Sequence, residues 1–258
     1  MYMIDYNSFR AIKSFNSRVR FLVLHYTAEN FENSINSLTG NNVSVHYLVP
    51  DLDDDSYKKA GFNNMRIFNL VDENARAWHA GVSSWAGRTN INDTSIGIEI
   101  VNLATEHSGV FDFPPYPENQ IAAVKQLAAN ILQRYPDISP THVVAHSDIA
   151  PTRKSDPGPK FPWLELYNNG IGAWYDSEAK EKFVQQFTQQ GLPTKADLLS
   201  YFKTYGYDIS IASTDDGYQH LVRAFQLHFR SDNYDGHIDI ETVAILYALV
   251  EKYFPAQS

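Results

Sequence analysis

The sequence predicts an α/β protein with a mixed central β-sheet flanked by helices, followed by a small C-terminal all-α module. Short apolar segments typical of buried strands are mixed with segments of helical periodicity, without regular alternation. The composition changes around residues 191–193 (Gly-Leu-Pro), and the chain beyond them has helix-like apolar spacing. We therefore predict a first domain over residues 1–180 and a helical domain over residues 190–258.

Five segments are predicted to form strands. Apolar or β-branched runs indicate buried strands, and period-two alternation indicates a strand with one exposed face. One run is interrupted by Gly97, which indicates a central strand that another part of the chain approaches closely. The five segments are residues 21–25, 43–49, 66–71, 95–101 and 142–146.

Helices are predicted where apolar residues recur at helical spacing. In residues 118–135 this spacing continues up to Pro136, which ends the predicted helix. Polar, glycine-rich or proline-rich stretches predict loops at residues 51–64, 77–92 and 156–162. The other predicted helices cover residues 31–38, 195–205, 218–229 and 240–254.

The composition narrows the classes of function. A formal net charge of −9 disfavours nucleic acid as a partner, because phosphate binding needs a basic face. The chain has no cysteine, so disulfides and thiolate metal sites are excluded and any metal must be held by histidine and carboxylate. No transmembrane helix is predicted, and the first twenty residues contain no apolar segment typical of a secretory signal.

His25 and His146 are the histidines most suited to a metal site. A single histidine on a strand is more often a packed or surface residue, but each of these two ends an apolar predicted strand, where a rigid scaffold presents side chains to a common cleft. Two histidines and one carboxylate leave the fourth position of a zinc ion open for water, as in catalytic sites. His46 could be a fourth ligand or a lining residue and is interpreted as lining, and His228 is assigned no role.

The carboxylate ligand is less certain from the residues alone. Asp148 lies two residues after His146 and could orient that ring or cap a turn. Asp156 begins a rigid Asp-Pro-Gly-Pro stretch that could return the chain to the metal. The pattern favours Asp156 only modestly.

Glu99 and Lys154 are candidates for the chemistry that a hydrolase needs beside its metal. Glu99 lies within an apolar strand, where a buried carboxylate is costly without a purpose. It could equally face solvent while Ile98 and Ile100 face the core. Lys154 points to the same side as Asp156 in extended backbone, although the residues alone favour an ordinary solvated lysine.

Five motifs resemble the zinc-dependent N-acetylmuramoyl-L-alanine amidases of the amidase_2 family, which includes the peptidoglycan recognition proteins. The last motif is long and specific, and the resemblance covers residues 20–175. The helical remainder resembles the C-terminal module of one branch of the family, which is similar to peptidoglycan-binding domains. The motifs are LHYT (24–27), SVHYLV (44–49), AWHAGVS (77–83), NDTSIGIEI (92–100) and AHSDIAPTRKSDPGPKFPW (145–163).

The resemblance implies a site and a reaction. It implies one zinc ion per chain on His25, His146 and Asp156, with Glu99 as the catalytic glutamate and Lys154 beside the scissile carbonyl. The implied reaction is hydrolysis of the amide that joins N-acetylmuramic acid to L-alanine. The residues implied in substrate binding are Trp78, His79 and Arg88.

Two other classes of protein fit the residues less well. A non-catalytic peptidoglycan-binding receptor on the same fold is the alternative, but such receptors usually lose a zinc ligand, and the full set is present here. An unrelated phosphoesterase commonly uses two metals and more carboxylates. We expect a monomer whose partner is peptidoglycan or muropeptides. It would lie in the cell envelope, periplasmic or outer-membrane associated, if a leader was removed, and otherwise in the cytoplasm or outside by another route.

Overall fold

The computed structural model of the chain describes residues 2–107 and 110–255. The strands in these ranges are β1 (Phe21–Tyr26), β2 (Tyr47–Val49), β3 (Phe68–Asn69), β4 (Ser84–Trp85), β5 (Arg88–Thr89), β6 (Ser95–Ile100), β7 (Thr105–His107), β8 (Val110–Asp112) and β9 (Val143–Ala145). Five of them form one sheet in the order β3-β2-β6-β1-β9, in which only the β2–β3 pair is antiparallel. Two short hairpins, β4–β5 and β7–β8, lie outside this sheet.

The helices of the described residues are α1 (Phe31–Leu38), α2 (Asp55–Lys59), α3 (Glu118–Arg134), α4 (His146–Ile149), α5 (Trp163–Asn168), α6 (Ser177–Gln190), α7 (Lys195–Tyr205), α8 (Asp215–Phe229) and α9 (Ile240–Tyr253). Several of them begin where a side chain accepts hydrogen bonds from the free N–H groups of the first turn. Asn30 caps α1 in this way, and Thr194, Thr214 and Asp239 cap three of the C-terminal helices.

The two faces of the sheet pack against different layers. Leu22 and Leu24 of β1 lie in one core with the apolar residues of α3. Phe21 and Val23, which point to the opposite face, lie in a second core with residues of α7, α8 and α9, including Phe225. The sheet is therefore enclosed by α3 on one side and by the C-terminal helices on the other.

This arrangement confirms the predicted α/β class with a mixed central sheet and a C-terminal helical part. Because the second core joins the sheet to the C-terminal helices, these helices cover a sheet face rather than standing apart from it. The predicted domain limits, residues 180 and 190, lie in α6, and the division into two domains stays a prediction. No helix in the described ranges is long and apolar enough to cross a membrane.

The structure differs from the sequence prediction in several elements. Helix α6 was not predicted, because its apolar stripe consists mainly of Phe183 and Phe187 among polar residues. Helix α2 lies in a predicted loop, where Asp54 caps a single turn that buries Tyr57. Strand β2 is shorter than predicted, since the N–H of Ser44 donates to the carbonyl of Trp78 instead of a strand neighbour.

Gly206 ties the end of α7 to the hairpin β4–β5. It has φ +140°, and a Cβ atom there would lie 2.7 Å from Cε2 of the buried Trp85. Gly191 at the end of α6 has φ +82°, but no described atom lies within 4 Å of the position of its Cβ. Both glycines therefore have a positive φ, but only at Gly206 would a Cβ atom be too close to Trp85.

We predict that Gly206→Ala lowers the free energy of unfolding more than Gly191→Ala does. An alanine at positive φ costs about 1–2 kcal/mol, and overpacking against Trp85 adds roughly 1–3 kcal/mol. Urea denaturation of both variants and the wild type measures the difference. Equal losses for the two variants would show that the Trp85 contact contributes nothing.

Candidate metal centre and catalytic cleft

Three parallel strands bring the candidate residues to one edge of the sheet. His25 on β1 is in register with Glu99 on β6. Leu24 of β1 is in register with Ala145 of β9, so His146, the next residue, leaves the sheet at the same level. The carboxyl ends of parallel strands form the usual site for ligands in α/β sheets.

Asp156 reaches this edge through a compact turn that follows α4. The N–H of Ser147 donates to the carbonyl of Asp156 at 3.0 Å, which closes the segment on itself. The hydroxyl of Tyr116 donates to the carbonyl of Pro157 at 2.8 Å and holds the far side of the turn. Asp156 is consequently buried beside the two histidines.

His25, His146 and Asp156 form a tight cluster. The Nδ1 atoms of the two histidines lie 2.9 Å apart, and each lies 3.0 Å from Oδ2 of Asp156. Ligands at about 2.0–2.1 Å from a tetrahedral zinc ion are separated by about 3.3–3.4 Å, so a small outward movement of these atoms would accommodate one. The cluster is a candidate site for a single metal ion.

Asp148 does not join the cluster. Its Oδ2 accepts from the N–H of Ala145 at 2.8 Å and from Nδ1 of His228 at 2.7 Å, and its Oδ1 accepts from the hydroxyl of Tyr207 at 2.6 Å. Both oxygens are therefore occupied. Of the two carboxylates that the sequence left in competition, the structure groups Asp156 with the histidines.

The electrostatics of the cluster suit a cation. Burial, followed by the charge of His146, lowers the pKa of His25 to about 4. Burial alone would raise the pKa of Asp156, but the His146 and His25 rings hold it below its ordinary value. A neutral imidazole and an ionised carboxylate, the forms that bind metals, are thus favoured at neutral pH.

Glu99 lies on the cleft side of β6. Ile96, Ile98 and Ile100 point to the opposite face of the sheet and pack with α3. The sequence had allowed for Ile98 and Ile100 to face the core while Glu99 faced solvent. The carboxylate of Glu99, however, lines the same cleft as His146 and Asp156. Its Oε2 atom is buried and has no hydrogen-bond partner in the described part of the chain.

The pKa of Glu99 is raised well above its ordinary value. Burial is the main cause, and the charge of Asp156 adds to it, while the ammonium of Lys154 opposes it. Lys154 is exposed and lines the cleft, on the same side as the three donors. The cleft therefore combines a candidate base, a cation and a metal-binding cluster.

The three residues implied in substrate binding lie in different surroundings. Trp78 lines the cleft and is half exposed. His79 also lines the cleft but is largely buried. Arg88 is exposed on β5 and is not among the described residues that line the cleft. Burial, then the charge of Arg20 and lastly the charge of Arg88 lower the pKa of the half-buried His142.

His79 lies between His25 of β1 and Ser95 of β6. Its Nδ1 lies 2.9 Å from Nε2 of His25, and its Nε2 lies 3.1 Å from Oγ of Ser95. A Cβ atom on Gly97 would lie 2.7 Å from the His79 ring, so the glycine is required for this close approach, as the interrupted strand pattern predicted. His46 is separate from the donor cluster, because its Nδ1 accepts from the N–H of Gly97.

Several supporting residues could not be recognised in the sequence. Asn92 accepts from the N–H groups of His79 and Ala80, which shapes the loop. The carbonyl of Ala80 in turn accepts from Nε2 of His146 at 3.2 Å and from Arg153 at 3.2 Å. Such outer partners orient the ring of a metal-binding histidine. The contacts join distant segments, and no local spacing indicates them.

The fold and the cleft define a mixed α/β protein with a candidate site for a single metal ion beside a glutamate whose buried Oε2 atom has no partner among the described residues. Residues 15–159 match the family model described as N-acetylmuramoyl-L-alanine amidase. The chain belongs to this family, Amidase_2, which confirms the resemblance seen in its motifs.

Similar proteins extend the match over almost the whole chain. N-acetylmuramoyl-L-alanine amidase AmiD of Escherichia coli K12 is 45% identical over 92% of this chain and 84% of its own length. A crystal structure of AmpDh3 from Pseudomonas aeruginosa is 60% identical, with a TM-score of 0.96 over 98% of this chain and 99% of that one. A substrate complex of AmiD matches with a TM-score of 0.86 and 42% identity over 98% of this chain and 95% of that one.

We predict that His79→Gln weakens the binding of a divalent metal ion by roughly 10- to 100-fold, because it removes the partner that orients His25. Competition with a chromophoric chelator measures the dissociation constant. His46→Gln is the matched control, since it changes a neighbouring buried histidine that does not contact the three donor atoms. Equal losses for both variants would contradict an orienting role for His79.

A second prediction concerns the stability of the metal-free protein. Because the pKa of Glu99 is raised in the folded state, folding favours its protonated form. The free energy of unfolding is therefore highest below the ordinary pKa of 4.5 and falls as pH rises through the raised value. Glu99→Gln removes this loss of stability, because glutamine carries no charge. We expect the variant to be more stable than the wild type at pH 7 and equally stable near pH 4, by urea denaturation. A wild type that is at least as stable as the variant at pH 7 would refute this.

Proposed function

We propose that this protein is a zinc-dependent N-acetylmuramoyl-L-alanine amidase. It hydrolyses the amide between N-acetylmuramic acid and L-alanine in peptidoglycan or its fragments. Family membership supports the reaction class. The observation that carries the proposal is that Glu99 shares one cleft with His146, Asp156 and Lys154, and that its Oε2 atom has no hydrogen-bond partner among the described residues.

Zinc is the metal that these donors fit best. Two imidazoles and one carboxylate are zinc ligands, and a chain without cysteine offers no thiolate alternative. His25, His146 and Asp156 would hold one ion per chain. When bound there, zinc supplies Lewis-acid chemistry that favours ionisation of water near neutral pH and polarises a carbonyl.

Glu99 is proposed as the general base and then the general acid. Its carboxylate takes the proton from the attacking water as the new C–O bond forms. The same proton then passes to the nitrogen of L-alanine as the C–N bond breaks, which leaves a free amine and the lactyl carboxylic acid. A carboxyl group with a raised pKa is suited to both steps.

Lys154 and Trp78 are proposed to act on the substrate. The ammonium of Lys154, which lines the cleft, would stabilise the negative charge that develops on the carbonyl oxygen. The half-exposed ring of Trp78 offers an apolar platform for sugar or peptide. The role of Arg88 in substrate binding rests on the resemblance alone and stays a prediction.

The substrate class is proposed from the relatives. AmpDh3 has been solved with an anhydromuramic pentapeptide, and AmiD with anhydro-N-acetylmuramic acid-L-Ala-D-γ-Glu-L-Lys. We infer that this protein also accepts muropeptides, and that it acts in the cell envelope, where peptidoglycan lies. A purely binding receptor is disfavoured, because the three donors form one cluster and two of them, His146 and Asp156, line the same cleft as Glu99.

We predict that purified muropeptides release free stem peptide with the native protein, but not after treatment with a chelator. Addition of zinc to the chelated protein restores the activity. Glu99→Gln lowers kcat by at least about 100-fold, because it removes proton transfer. Chromatography of the products measures the rates.

The control is Glu165→Gln, which changes an exposed glutamate outside the cleft and leaves the rate unchanged. Release of stem peptide at the same rate by native, chelated and Glu99→Gln protein would refute a zinc amidase. Binding of muropeptides without any release would support the receptor instead.

A further inference from the structure

The segment that carries three of the proposed site residues has little regular structure of its own. Residues 145–156, here called the metal-bearing segment, include His146, Lys154 and Asp156. The segment consists of Ala145 at the end of β9, the four-residue α4 and the turns after it. Groups elsewhere in the fold must therefore hold its side chains in place.

The C-terminal helical part contacts this segment first at Asp148. The carboxylate is buried, and the hydroxyl of Tyr207 donates to it at 2.6 Å while Nδ1 of His228 donates at 2.7 Å. Tyr207 lies just after α7, and His228 lies in α8. A buried carboxylate without such donors is strongly disfavoured, so the helical part stabilises the start of the segment.

The ring of His228 is itself fixed. It stacks on Trp163 with ring centroids 3.7 Å apart and on Phe229 with centroids 3.8 Å apart. The ring is buried, so its Nδ1 is aimed at Asp148 with little freedom. The stacked ring therefore keeps the hydrogen bond to Asp148 in one geometry.

A second contact lies at the other end of the segment. Nη1 of Arg223, also on α8, donates to Oγ of Ser155 at 3.1 Å. The guanidinium lies 4.2 Å from the ring centroid of Phe111. Ser155 stands between Lys154 and Asp156 in the sequence. One helix of the C-terminal part thus holds the metal-bearing segment near both ends.

We propose that Tyr207, Arg223 and His228 are positioning residues for the metal-bearing segment. The C-terminal helical part would then be needed for hydrolysis of every substrate, including small soluble muropeptides. If the helical part were instead a separable peptidoglycan-binding module, it would be needed only for hydrolysis of polymeric peptidoglycan. This inference rests on the proposed function for its catalytic consequence, and on geometry alone for its effect on metal binding.

The test compares single substitutions that remove one donor to Asp148. We expect Tyr207→Phe and His228→Leu to raise the zinc dissociation constant by about 10-fold, and to lower kcat on a small soluble muropeptide, because the segment loses its orientation. KM on that substrate should change less than about 3-fold, by the same argument. His228→Asn, whose amide nitrogen can replace Nδ1 as a donor, should recover much of both losses.

Tyr201→Phe is the matched control. Tyr201 lies in α7 and stacks on Tyr247 with ring centroids 3.7 Å apart, and it makes no contact with the metal-bearing segment among the described interactions. This variant also removes one hydroxyl group from the helical part, so it reports any general effect on the helices. We expect its zinc affinity and kcat to equal those of the wild type.

Two outcomes would overturn the positioning role. In the first, Tyr207→Phe and His228→Leu weaken binding to insoluble peptidoglycan but leave zinc affinity and kcat on the soluble muropeptide unchanged. In the second, they lower the melting temperature without changing zinc affinity or kcat. Failure of the proposed function is distinguishable, because the wild type would then release no stem peptide, while zinc affinity would still respond to the variants.

Discussion

The parallel pairing of β1 with β6 and β9 is the constraint on which the rest of the site depends. Its register places His25 opposite Glu99 and lets His146 leave the sheet beside them. Because side chains alternate between the faces of a strand, the same register sends Leu24 and Ile98 into the core under α3. A shift by one residue would exchange the two faces and move the chemistry into the core.

The site is assembled at a cost to stability that the surrounding structure offsets. Buried histidines, a buried aspartate and a glutamate with a raised pKa lie close together in one cleft. Asp156 is compensated by the two histidines, whereas the Oε2 atom of Glu99 has no described partner. A cation in the cluster would lower the repulsion between these carboxylates, so metal binding and a functional glutamate favour each other.

The sequence alone predicted the parts of the site that local patterns specify. Apolar strands ending in His25 and His146 indicated a shared cleft, and Gly97 indicated a close approach that proved to be the ring of His79. Glu99 was left between two interpretations, because period-two alternation shows that it opposes the isoleucines but not what lies on its own side. The family motif, rather than spacing, selected Asp156 over Asp148.

What could not be predicted lies in contacts between distant segments. Helix α6 escaped because two phenylalanines among polar residues are a weak helical signal. His228 was given no role, since its partner Asp148 lies eighty residues earlier in the chain. Arg223 and Ser155 also lie far apart in the sequence, so their contact could not be predicted either. The link between the C-terminal helices and the site is therefore visible only in three dimensions.

We propose that His25, His146 and Asp156 hold one zinc ion next to Glu99. A crystal structure of the zinc-loaded protein, with anomalous data collected on both sides of the zinc absorption edge, tests this arrangement most directly. We predict a single peak per chain about 2.0–2.2 Å from Nδ1 of both histidines and from a carboxylate oxygen of Asp156. A peak held instead by Asp148, His46 or His79, or no peak in the cluster, would contradict it.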